Sequence, residues 1–154
     1  MIHLELLQDE TLYIAQEMVN SVPEYNRMEV GRDVRSMEEI REEFLQDKTE
    51  TYFIKLEDTY IGVLDYLSQN PKDGYPWLGL LLIHRDYQGF SYGLQAYHTF
   101  EEELTRRGIR VLRLGVLHDN KRAFGFWKKT GFVYQHDAVT KEKQSVHVLE
   151  KCIT

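Results

Sequence analysis

A chain of 154 residues, 42% hydrophobic and 29% charged, is long enough for one domain with a sizeable core and too short for two. Its 25 acidic and 19 basic residues give a net charge of −6, which argues against nucleic acid as partner, because phosphate backbones are held by clustered Lys and Arg, and favours a cationic small molecule. The single cysteine, Cys152, excludes an internal disulfide and a Cys-based metal site.

The start, Met1-Ile2-His3-Leu4-Glu5, has neither the basic nor the apolar region of a signal peptide. The longest apolar run, Leu78 to Ile83, is strand-sized and far short of the ~18 residues of a membrane span, so no membrane partner and a cytoplasmic location are expected.

Residues 2–7 read as a first strand. Asp9 is placed to cap a helix reaching about Asn20, with Leu12, Ile14, Ala15, Met18 and Val19 on its apolar face. Val22-Pro23-Glu24-Tyr25-Asn26 reads as a loop. Ser36-Met37-Glu38-Glu39 is a capping box, followed by Met37, Ile40, Phe44 and Leu45 at helical spacing. Thr51–Leu56 and Tyr60–Leu67 are strands around the turn Glu57-Asp58-Thr59, and Pro71-Lys72-Asp73-Gly74 marks another turn. Trp77–His84 is apolar on both faces, which predicts a central strand.

Gly93–Arg107 is helical, with Leu94, Tyr97, Phe100 and Leu104 along one face and Gly108 just past its end. Ile109–Leu117 is a strand. Asp119 or Asn120 caps a short helix that ends at Lys128-Lys129-Thr130-Gly131. Phe132–His136 and Ser145–Ile153 are strands around a polar loop. The order β-α-α-β-β-β-α-β-α-β-β predicts a single α+β domain over residues 1–154, a mixed and mostly antiparallel sheet with one β-α-β crossover near its centre.

Between the central strand and the next helix runs Gln88-Gly89-Phe90-Ser91-Tyr92-Gly93. Small residues at 89, 91 and 93 let the backbone turn tightly and approach a ligand. The helix N-terminus adds free N–H groups and a positive dipole end, which together suit a pyrophosphate. The pattern fits a plain Gly-rich turn equally well. It is not a Walker loop, since no Gly-Lys-Ser/Thr follows, nor a dinucleotide fingerprint, since its spacing is wrong.

Gln88-x-x-Ser91-x-Gly93 resembles the Gln/Arg-x-x-Gly-x-Gly/Ala motif of the GCN5-related N-acetyltransferases (GNAT). Asn120-x-x-Ala123-x-x-Phe126-Trp127-x-x-x-Gly131-Phe132 resembles that family's second signature, and the element order agrees along the chain. The resemblance implies acetyl-CoA as acyl donor, with coenzyme A as product and a primary amine as acceptor. By the same resemblance, the backbone at Leu82 and Ile83 would pair with the pantetheine arm. Gln88, Gly89, Phe90, Ser91, Tyr92 and Gly93 would hold the pyrophosphate, and Asn120 would bind the cofactor as well as capping its helix. A homodimer accords with family habit. Two positions depart from the pattern. Ser91 replaces a glycine, which leaves binding intact if its φ is negative. Trp127 replaces a tyrosine often assigned as general acid; it either walls the cofactor's sulfur or packs in the core, and packing is favoured.

Amide formation from a thioester requires the amine to lose a proton, an oxyanion to be stabilised and the thiolate to leave. An amine with a pKa near 10.4 is only roughly one part in a thousand neutral at pH 7, so a general base helps. Asp65 is the first choice, a carboxylate in the otherwise apolar strand Ile61-Gly62-Val63-Leu64-Asp65-Tyr66-Leu67; an exposed strand residue is the competing reading. Tyr134 is a substitute acid or a residue lining the sheet. Glu24, Tyr25, Asp65 and Trp77 are acceptor-side candidates by family analogy. The six histidines show no metal-ligand spacing, and His84 and His118 read as turn residues after strand ends. The leading function is acetyl transfer to a small-molecule amine in a ternary complex. Acetylation of a protein N-terminus or lysine, and an acyl-CoA-binding module with weak catalysis, are the alternatives.

Overall fold

The computed structural model describes residues 1–140 and 142–153. Among these residues seven strands form: β1 (Ile2–Leu6), β2 (Thr49–Leu56), β3 (Thr59–Leu67), β4 (Trp77–Ile83), β5 (Val111–Leu117), β6 (Val133–Val139) and β7 (Ser145–Cys152). They make one sheet of order β1-β2-β3-β4-β5-β7-β6, in which only the β4–β5 pair is parallel. Strand β4 occupies the middle, as its unbroken apolar run requires.

The helices are α1 (Leu12–Asn20), α2 (Pro23–Val30), α3 (Met37–Phe44), α4 (Tyr92–Arg106) and α5 (Lys121–Lys129). Successive strand residues point to opposite faces, so the sheet feeds two cores. Phe53, Val63, Leu80 and Leu82 pack with Leu12, Ala15, Met18 and Val19 of α1 and Ile40 and Phe44 of α3. Ile54, Leu64, Leu114 and Ile83 pack with Ala96, Tyr97, Phe100 and Leu104 of α4 and Trp127 of α5. The result is an α+β domain with helices on both faces. None of its helices is long and apolar enough to cross a membrane, among the described residues.

Three sequence expectations change. The segment expected as a loop at Val22–Asn26 is the start of α2. Pro23 sits at the first helical position, where a missing N–H costs nothing, and Gly31 ends the helix at φ 75°. Asp9 does not cap α1: it opens a 3-10 turn, Asp9–Thr11, and its carboxylate pairs with Arg41 instead. Leu94 stands partly exposed at the mouth of α4, and Ala96 takes the buried place one turn before Phe100.

Two irregularities shape the middle of the sheet. Asp65 stands opposite Leu80 while Tyr66 stands opposite Leu78, so Gly79 is an extra residue that makes a bulge in β4. On β3, Gly62 lies where a Cβ would collide with the carbonyl oxygen of Leu82.

The capping box at α3 forms as read. Glu39 N–H donates to Ser36 Oγ at 3.2 Å, and Ser36 N–H donates to Glu39 Oε1 at 3.0 Å. Ser36→Ala is expected to cost about 1 kcal/mol in urea unfolding, with an unchanged m-value.

Candidate functional site

Strands β4 and β5 register at a single pair, Trp77 with Arg113, beside the bond from Arg113 N–H to Pro76 O at 2.9 Å. Beyond that point they separate, leaving a cleft in the sheet between their C-terminal halves. The closed end is clamped. Trp77 Nε1 donates to Asp73 at 2.9 Å, Arg113 Nε donates to Glu150 at 2.9 Å, and the Arg113 guanidinium lies 3.8 Å over the Tyr75 ring.

At the open end, His84 N–H donates to Ile61 O on β3. Alternation along the strand then commits the backbone of Leu82 to β3 and turns that of Leu81 and Ile83 into the cleft. The backbone of Leu81 and Ile83 thus faces the opening, and that of Leu82 faces β3. The Gln88 side-chain amide donates to Ile83 O at 2.9 Å and ties the loop to the end of β4.

That loop leaves a run of backbone N–H groups free. The first helical bond of α4 runs from Gln95 N–H to Ser91 O. Within the described residues, no hydrogen bond engages the N–H groups of Gly89, Phe90, Ser91, Tyr92, Gly93 or Leu94. Gly89 at φ 87° and Ser91 at φ 66° are both left-handed, a geometry that curls successive N–H groups inward around an anion. The negative φ expected for a serine at position 91 is therefore absent. Ser91 occupies a conformation that glycine adopts freely, and its hydroxyl makes no compensating cap bond.

Asp65 sits on the face covered by α1 and α3 and is only 8% exposed, which excludes the exposed-strand reading. Thr51 Oγ1 donates to its Oδ1 at 2.6 Å, and its Oδ2 lies 3.4 Å from where a Cβ on Gly79 would stand. Burial, reinforced by the charge of Glu43, outweighs the Thr51 bond and pushes the carboxyl up to about 7. A buried carboxylate thus lies directly beside the bulge at the cleft. On the same face the Trp77 ring covers Gly115 and neighbours Val146. Above them Arg35 is buried, with its guanidinium over the Tyr25 ring and paired to Glu43. Tyr25 is pushed well above the usual phenol range by burial and by Glu29 and Glu43, and burial raises Glu29 too. The Gln144 amide donates to Met28 O, so the β6–β7 turn meets α2 over this region.

Of the acceptor-side candidates, Tyr25, Asp65 and Trp77 share this face. Glu24 points away and pairs with Arg85 at the surface. Asn120 caps α5, accepting from Ala123 N–H at 3.1 Å. Trp127 is packed in the core against Tyr97 and Phe132, with ring centroids 5.4 and 5.3 Å away. Tyr134 lies exposed on β6, its hydroxyl donating to Asp137 at 3.1 Å, on the opposite face from Asp65. Sequence reading missed Thr51, Gly79, Glu29, Arg35 and Glu43. A lone Gly in the apolar run Trp77–Ile83 was the available signal for the bulge; the charged residues became neighbours only through helix packing.

The sequence matches the family model described as Acetyltransferase (GNAT) family over residues 15–132. The fold is similar to that of an acetyltransferase from Thermus thermophilus, with TM-score 0.81 and 21% identity over 98% of this chain and 96% of that one. It is also similar to a PaiA N-acetyltransferase from Thermoplasma acidophilum in complex with coenzyme A, with TM-score 0.72 and 20% identity over 99% of each chain. A ribosomal-protein-alanine N-acetyltransferase from Escherichia coli gives TM-score 0.73 and 14% identity over 100% of this chain and 95% of that one. No match was found among curated proteins.

Ser91→Gly removes the left-handed strain, a gain that the added entropy of the unfolded chain partly offsets, so denaturant unfolding should show a net gain of up to about 1 kcal/mol. For Asp65 the linkage runs against the native state. The unfolded chain releases this proton near pH 4 and the folded chain only near 7, so stability falls across that interval. Asp65→Asn should stabilise the protein by up to about 4 kcal/mol above pH 7 and by nothing below about pH 4, as read from melting curves against pH.

Proposed function

The chain belongs to the acetyltransferase (GNAT) family and is an N-acetyltransferase, and from that premise we propose that it transfers an acetyl group from acetyl-CoA to the primary amine of a small cationic molecule, by direct attack in a ternary complex. The observation that carries the reading is the run of unengaged N–H groups from Gly89 to Leu94 at the open end of the β4–β5 cleft, with a buried carboxylate at its side.

The cradle fits a pyrophosphate in charge, curvature and donor count, and Gln88 steadies it through Ile83 O. The outward backbone of Ile83 and Leu81 suits the pantetheine arm, with Asn120 on the far side of the cleft. Acetyl-CoA supplies the activated carbonyl as a thioester. Asp65 receives the proton of the incoming ammonium, and its carboxyl near 7 is ionised in a useful fraction at neutral pH while still basic enough to act. The Leu81 N–H is the backbone donor for the developing oxyanion. A thiol of pKa near 8.5 leaves without an acid, so Trp127 and Tyr134 need no proton-transfer role.

The acceptor face supports a cationic substrate. Asp65, Glu43 and Glu29 converge there against one cation, Arg35, which is already paired. The contact between Gln144 and Met28 narrows the approach, which favours a small molecule over a protein segment. A cytoplasmic enzyme with an unpaired cysteine completes the reading.

Acetyl-CoA should raise the melting temperature, and absence of any shift would remove the donor assignment. Thiol release should be strongest with polyamines or amino sugars; turnover confined to peptide N-termini or lysines would establish the protein-acceptor alternative. With an active amine, kcat/KM should rise with pH to a plateau above about 7. Asp65→Asn should lower kcat by on the order of a hundredfold or more and leave acetyl-CoA affinity unchanged.

A further inference from the structure

Away from the β4–β5 cleft, the far half of the sheet gathers a second group of side chains. His147 stands opposite Val116 in the β5–β7 register and opposite Asp137 in the β6–β7 register. His118 lies two residues past Val116, its N–H continuing the ladder onto Ser145 O. Alternation therefore sets His118, Asp137 and His147 on the face that carries Val116 and α5. A bulge adds to this. Tyr134 faces Leu149 while His136 faces Val148, leaving Gln135 as an extra residue. Tyr134 and Asp137, at an odd spacing, consequently share one face, and the Tyr134 hydroxyl donates to Asp137 Oδ1.

The geometry is that of a ligand set. His147 Nδ1 is 2.8 Å from Asp137 Oδ1, and His118 Nε2 is 3.5 Å from Asp137 Oδ2. One ligating atom from each residue lies within 4.8 Å of the other two. Around a first-row divalent ion with bonds near 2.1 Å, tetrahedral ligand atoms stand about 3.4 Å apart, so the three residues bind one ion once an imidazole turns to bring its lone pair onto it. The imidazole rings lie side by side, stacked at 3.9 Å, and Phe124 of α5 sets its edge against His147 at 5.1 Å. His118 Nε2 is shut off from water and makes no hydrogen bond within the described residues. Its one polar neighbour is Asp137 Oδ2 at 3.5 Å, too weak a contact to repay its desolvation, a cost that a metal ligand bond would offset.

We propose that His118, Asp137 and His147 bind one first-row divalent cation, with Zn2+ the best match, and that the ion ties the β6–β7 hairpin to the end of β5. Two imidazoles and a carboxylate are a borderline-hard donor set suited to Zn2+ and ill-suited to Mg2+ or Ca2+, which take oxygen ligands. Tyr134 acts on the ion through Asp137, as an outer-shell partner that orients the carboxylate. A fourth coordination position is left to water, since Asp137 is half-exposed.

Tag-free, chelator-stripped full-length protein titrated with ZnCl2 in a calorimeter tests this. One equivalent should bind saturably, and the melting temperature should rise by several degrees with Zn2+ but not with Mg2+. Co2+ should give visible absorption bands of a low-coordinate site. His147→Gln and Asp137→Asn should each abolish saturable binding, and Tyr134→Phe should weaken it by about tenfold. Melting of each metal-free variant checks that it folds; if His147→Gln does not, Asp137→Asn on the exposed strand β6 decides the matter. No saturable uptake by the parent protein, or uptake that survives Asp137→Asn and His118→Gln alike, would overturn the proposal.

Discussion

The parting of β4 from β5 is the constraint on which the rest of the molecule depends. Two adjacent parallel strands ordinarily pair along their length, because an unpaired backbone group inside a sheet carries a desolvation cost. Here they pair once, at Trp77 and Arg113, and diverge. The clamp of Asp73, Trp77, Tyr75, Arg113 and Glu150 keeps the closed end shut. The two apolar cores hold the strands from above and below while they separate. Backbone groups that an ordinary sheet would consume are left for a ligand.

The same parting divides labour between the faces. Loop 88–93 and the N-termini of α4 and α5 bring backbone N–H groups to the open end. The face under α1 to α3 carries the carboxyls of Asp65, Glu29 and Glu43. The Gly79 bulge lies where the two meet. It re-aims the strand at the point where Asp65 approaches, and glycine there keeps the carboxylate unobstructed. Burial that raises the Asp65 carboxyl costs stability at neutral pH.

Elements whose signal is local were legible from the chain alone. The capping box at Ser36, the cap at Asn120, the left-handed end at Gly108 and the apolar run of β4 each depend on residues within a few positions of one another. Helix α2 was not legible, because its short amphipathic stretch has a weak apolar face and begins with a proline that also suits a loop. The conformation of Ser91 was not legible either, for a different reason. Serine is uncommon at positive φ, and only the path that the chain must take from β4 into α4 imposes it.

The sequence by itself determined that this is an α+β domain with a Gly-rich turn after its central strand and a family signature behind it, since motif spacing and hydrophobic period are properties of the chain. Tertiary structure alone decided which side chains meet. Asp65 became a raised, buried carboxyl because β2, β4 and α3 close around it. Trp127 went to the core because Tyr97 and Phe132 form its socket. Histidines 29 residues apart in the chain stacked because the register of β5 with β7 brings distant residues face to face.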